Sequence, residues 1–200
     1  MKYYLLIIIN LILITTANGA TSRILFLGDS LGEGQGIGEN PAFPKVVERN
    51  LRAKKHDVTV INDGVSGSIS ASGLSRLKWQ LKNKVDILVL ELGANDGLRG
   101  FKLKETEKNL KEIIAFAKSK NIKVLLLGVY IPPNYGIKYS SEFANMYKRI
   151  SKTEKIPLLP FLLKDVAGIK ELNLPDGIHP NAKGHEVIGE NVAKFIEKNL

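Results

Sequence analysis

The chain has 200 residues, no cysteine and a formal net charge of +9, from 29 basic and 20 acidic side chains. Without cysteine there is no thiol nucleophile, Cys-ligated zinc, disulfide or Cys-linked lipid. The basic residues are spread along the chain, with no concentrated stripe and no nucleic-acid module. The charge therefore predicts a solvated surface, at most weakly drawn to anionic membranes, and no nucleic-acid partner.

The first twenty residues stand apart. Lys2 is the only charge before Arg23, residues 3–14 are apolar except for Asn10, and residues 15–20 are small and polar. A positive start, a short apolar centre and a small-residue end predict a secretory signal peptide over residues 1–19, cut before Ala20 after Ala17-Asn18-Gly19. The alternative is an uncleaved anchor, for which the strongly apolar part falls short of the ~20 residues of a membrane span. Export of a chain without disulfides predicts a bacterial periplasmic or secreted location. Residues 20–200 then make one domain, long enough to bury most of its apolar surface unaided.

Short, continuous apolar runs follow at 23–27, 58–61, 87–92 and 124–129, with a weaker one at 157–161. This is the pattern of strands covered on both faces. Helical periodicities lie between and after them. Residues 43–54 group Val46, Val47 and Leu51, and 104–118 group Leu110, Ile113, Ile114 and Ala117. Residues 140–152 group Phe143, Met146, Tyr147 and Ile150. Residues 182–198 group Val187, Ile188, Val192, Phe195 and Ile196, with Asn181 as N-cap. The alternation predicts an α/β fold, a parallel five-stranded sheet between two layers of helices. Functional loops in such a sheet follow the carboxyl ends of the strands, here after Leu27, Ile61, Leu92 and Val129.

Four segments carry candidate chemistry. Gly28-Asp29-Ser30-Leu31-Gly32 sets a serine on a strand-to-helix turn, which exposes its hydroxyl; by itself it also reads as a plain turn capped by Asp29. Gly67, in Asn62-Asp63-Gly64-Val65-Ser66-Gly67-Ser68, offers a backbone N–H at close approach, or another turn. Asn95, in Gly93-Ala94-Asn95-Asp96-Gly97, offers an amide donor or an Asx-turn. Asp176-Gly177-Ile178-His179-Pro180 is more specific. A carboxylate three residues before a histidine can accept from its Nδ1–H and fix the tautomer, and Pro180 stiffens the loop. His56 and His185 lack such a partner and read as ordinary surface or helix positions. Gly34, Gly36 and Gly38 form neither a dinucleotide fingerprint nor a phosphate loop.

In this order and spacing the four segments resemble the conserved blocks of the GDSL/SGNH hydrolases, over essentially all of residues 22–200. Asn95 to Phe101 and Pro133-Asn134-Tyr135-Gly136 are most similar to the bacterial arylesterases and acyl-CoA thioesterase/lysophospholipases of that family, although Ser68-Ile69 replaces the Asp-Thr frequent there. The resemblance implies a flavodoxin-like SGNH fold and a cofactor-free, metal-free serine hydrolase. Ser30 is the implied nucleophile, His179 the base and Asp176 its orienting acid. The backbone N–H groups of Ser30 and Gly67 and the amide of Asn95 are the implied oxyanion hole. Expected substrates are arylesters, acyl thioesters or lysophospholipids, with removal of polysaccharide acetyl groups or acyl transfer as the alternative. Leu98, Ile131, Pro132 and Pro133, in the loops after the third and fourth strands, are the expected acyl-pocket wall. An α/β-hydrolase is the rival fold, but Ser30 leaves room for only one strand before it.

Overall fold

A computed structural model describes residues 21–200; the expected signal peptide lies outside the described residues. Five strands form one fully parallel sheet in the order β2-β1-β3-β4-β5. They are β1 (Ser22–Gly28), β2 (Val58–Gly64), β3 (Ile87–Leu90), β4 (Lys123–Leu127) and β5 (Leu158–Leu159). Ile24, Leu25 and Leu27 of β1, Leu88, Val89 and Leu90 of β3 and Leu125, Leu126 and Leu127 of β4 are fully buried. Their unbroken apolar runs are thus explained by helices on both faces.

Five of the seven α-helices among the described residues supply those layers. α2 (Phe43–Ala53) and α7 (Ala182–Glu197) pack together on one face, and α3 (Ser70–Gln80), α5 (Leu103–Ser119) and α6 (Ile137–Glu154) on the other. Two short helices, α1 (Ser30–Glu33) and α4 (Ala94–Leu98), begin directly beyond β1 and β3. The chain leaves β1 toward β2 on one side and returns to β3 on the other. The strand order therefore reverses between β1 and β3, and a crevice opens at their carboxyl ends. All five strands, these helices and the apolar core lie within residues 21–200.

Three departures from the sequence reading have physical causes. β2 runs three residues past the expected end because Asn62, Asp63 and Gly64 stay in register with Phe26, Leu27 and Gly28. β5 has only two residues because Pro157 and Pro160 flank it and lack a ladder donor. α3 carried no periodic signal: Gly73 and three serines are poor helix formers. Tertiary packing overrides that, since a Cβ at Gly73 would come within 2.8 Å of Leu92 Cδ1 and also press on Ile113. Glycine lets α3 lie close against the strand end and α5.

His185 corrects an expectation. It is not an ordinary surface or helix position: it is 1% exposed, and its Nδ1 accepts from the Phe43 backbone N–H at 3.0 Å. Phe43 opens α2, whose own N-cap, Ala42, has no side-chain acceptor. α7 therefore caps α2 through space. Burial pushes the His185 pKa down to about 4, and it is held neutral with its proton on Nε2.

Candidate active site

The first loop beyond the sheet is built on Asp29. Its carboxylate accepts from Leu31 N at 3.1 Å, capping α1 and turning the chain so that Ser30 is the first helical residue, 9% exposed at the crevice. The loop between β5 and α7 reaches the same crevice. Ser30 Oγ lies 3.0 Å from His179 Nε2, and His179 Nδ1 lies 2.8 Å from Asp176 Oδ2. With the ring proton on Nδ1, the imidazole donates to Asp176 and accepts from the serine hydroxyl.

The Asp176 loop is tightly wound. Asp176 Oδ1 accepts from the backbone N–H of both Ile178 and His179, at 3.0 Å each, and Gly177 takes a positive φ of 72° between them. These bonds, that of His179 N first, hold the Asp176 carboxyl down at a pKa of about 2. Leu174 N donates to His179 O at 2.8 Å, so the loop is pinned on both sides of the imidazole.

Gly67 and Asn95 join Ser30 and His179 around one cavity of about 660 Å³. Asn95 Nδ2 lies 3.4 Å from Asp29 Oδ2, which leaves its second amide proton for the crevice. Arg99 donates to Gly67 O at 3.1 Å and steadies the loop after β2. Leu98, Ile131, Pro132 and Pro133 line this cavity, Leu98 from helix α4 where a loop was expected. The sequence reading missed an apolar contribution from the loop after β5. Phe161 and Leu163 also line the wall, and Phe161 stacks on Tyr130 with ring centroids 4.3 Å apart.

Two further groups had no assigned part in the sequence reading. Glu91, one residue beyond β3, is 1% exposed; its Oε2 accepts from Asp29 N at 3.1 Å. Burial, reinforced by the neighbouring Asp29 charge, pushes its carboxyl well up, and burial also raises Asp29. A Cβ at Gly28 would collide with Glu91 Oε2, which explains glycine before the Asp-Ser turn. A carboxylate inside the otherwise apolar run Ile87 to Leu92 was the available signal. The second group is Asp96, 2% exposed, which accepts from Ser70 N at 2.8 Å, Ser70 Oγ at 2.5 Å and Thr106 Oγ1 at 3.2 Å. Ser70 opens α3, whose N-cap, Ile69, has no side-chain acceptor. Asp96 thus caps α3 and ties the Gly67 loop to the Asn95 loop.

A serine at a strand-to-helix turn, an imidazole on its oxygen, a carboxylate behind that imidazole and an apolar cavity at the switch point are the fold and geometry of an α/β/α hydrolase of the Ser–His–Asp type. The sequence profile of the GDSL-like Lipase/Acylhydrolase family matches residues 26–187. The chain is 36% identical to an arylesterase of Vibrio mimicus over 188 residues, 94% of each chain. It is also 36% identical over 188 residues to thioesterase 1/protease 1/lysophospholipase L1 of Escherichia coli, covering 94% of this chain and 89% of that one. The crystal structure of TesA superposes with a TM-score of 0.86 at 35% identity, covering 90% of this chain and 100% of that one. The chain belongs to the GDSL-like lipase/acylhydrolase family, and it is an ester/thioester hydrolase.

Proposed function

We propose that this protein is an exported serine esterase/thioesterase that cleaves arylesters, acyl thioesters or lysophospholipids through an acyl-Ser30 intermediate. The observation that carries this reading is the continuous relay of Ser30 Oγ, His179 and Asp176, with steps of 3.0 and 2.8 Å, at the wall of the apolar cavity.

Ser30 Oγ attacks the acyl carbon while His179 Nε2 takes its proton. Asp176 orients the ring and stabilises the imidazolium. The developing oxyanion is met by Ser30 N–H, Gly67 N–H and the free amide proton of Asn95. His179 then protonates the departing alcohol or thiol, leaving the acyl group on Ser30. Water, deprotonated by the same imidazole, attacks the acyl-Ser30 carbon and releases the acid. Apolar lining by Leu98, Ile131 and Phe161 favours acyl chains longer than acetyl. That weighs against a polysaccharide O-acetylesterase.

A fluorophosphonate probe tests the mechanism. The wild-type protein is expected to take up one equivalent covalently and Ser30→Ala none. Ester turnover surviving in Ser30→Ala rules the mechanism out. Rates on p-nitrophenyl esters of graded chain length, an acyl-CoA, a lysophospholipid and an acetylated sugar then set the preference, and acetylated sugar as the best substrate overturns the acyl-chain reading.

A further inference from the structure

Residues 97–104, from the end of α4 into α5, and 128–141, from β4 into α6, contain Arg99, Lys102, Lys104 and Lys138 and no acidic residue; the exposed carboxylates that flank them are Glu105 and Glu142, the latter paired with Arg149. All four cations are exposed, and none forms an ion pair among the described residues. Tyr139 Oη donates to Phe101 O at 2.8 Å and joins the two segments into one surface. That surface also holds four of the large apolar side chains left in solvent: Phe101 at 40%, Tyr130 at 43%, Tyr135 at 43% and Ile137 at 81% exposure. A monomer does not ordinarily cluster such groups without a use for them.

The surface is continuous with the cavity. Leu98 and Ile131 to Pro133, which belong to the same two segments, line the cavity wall, and Ser140 Oγ donates to Pro132 O at 3.0 Å to hold the Pro-rich turn against α6. Exposed apolar and aromatic side chains on segments whose only charges are cations match the boundary of a lipid surface bearing anionic headgroups. A soluble arylester needs no such rim. An acyl chain drawn from a lipid aggregate does, because it must pass from one apolar phase to another.

From this we infer that the Phe101–Ile137 rim docks the enzyme on anionic lipid surfaces and feeds monoacyl substrates into the Ser30 cavity. The feeding step rests on the proposed acyl-hydrolase function; the docking step does not.

The test is co-sedimentation of the chain from Ala20, which holds the whole sheet and core, with phosphatidylglycerol and with phosphatidylcholine vesicles. Two double variants are compared with it, Phe101→Ser/Ile137→Ser and Lys102→Glu/Lys138→Glu. Wild type is expected to bind phosphatidylglycerol vesicles, less so at high salt, and phosphatidylcholine vesicles much more weakly. The lysine variant should lose about fivefold in partition per cation removed, and the serine variant at least as much in total. Hydrolysis of a water-soluble p-nitrophenyl ester should stay within about twofold of wild type in both variants. Equal partition of wild type and variants, equal binding to the two lipids, or a wild-type dimer abolished in the serine variant overturns the docking inference. Loss of soluble-ester turnover in wild type would instead overturn the function on which feeding depends, with sedimentation still reading docking.

Discussion

Ser30, His179 and Asp176 meet because two local turns each solve a backbone problem with a carboxylate. Asp29 caps the helix that starts at Ser30, and Asp176 accepts two successive backbone N–H groups before it reaches the imidazole. Asp176 is 42% exposed at its side chain, yet its pKa of about 2 keeps it ionised at every pH where the fold is useful. The acid limb of kcat/KM should therefore contain no Asp176 titration above about pH 3. Asp176→Asn should leave Ser30 in place but present the wrong imidazole tautomer, lowering kcat by about 10³–10⁴-fold with KM little changed. A loss confined to KM would assign Asp176 to substrate binding. Asn95→Ala should lower kcat by about 10²–10³-fold if its amide meets the oxyanion, measured on the same soluble ester.

At the scale of elements, two helices begin at residues that cannot cap themselves, and each borrows an acceptor. Asp96 caps α3 and His185 caps α2. Removing Asp96 strands the buried Ser70 and Thr106 donors, so Asp96→Ala should cost about 2–3 kcal/mol in urea unfolding. It should also lower kcat on the soluble ester, because the Gly67 and Asn95 loops lose their tie. For His185 the folded pKa of about 4 lies below the unfolded value near 6.5. The unfolded state takes up the proton first, so stability is complete above about pH 6.5 and is lost as pH falls toward 4. The span is at most about 3 kcal/mol. The raised Glu91 and Asp29 carboxyls act in the opposite sense, so a comparison isolates the histidine. His185→Gln, which retains an acceptor but cannot titrate, should show a flatter stability curve between pH 4 and 6.5. Equal slopes would remove His185 from the acid response. Neither borrowed cap was legible beforehand, because each joins residues far apart in sequence, 26 for Asp96–Ser70 and 142 for His185–Phe43.

At the scale of the whole molecule, the export reading predicts that protein recovered outside the cytoplasm has the intact mass of residues 20–200. A mass retaining residues 1–19 would establish an anchor. What the sequence by itself determined is whatever depends on contiguous residues: the buried strands, from unbroken apolar runs, four of the five long helices, from 3.6-residue spacing, and the Asp176–His179 pair, from a three-residue interval. The family blocks added which distant segments to join. Only tertiary structure decided the β2-β1-β3-β4-β5 order, the helicity of α3, the contribution of Phe161 and Leu163 to the cavity and the buried partnership of Glu91 with Asp29. Periodicity records which face of an element is apolar. It does not record which other element covers that face, and these features arise from that choice of neighbour.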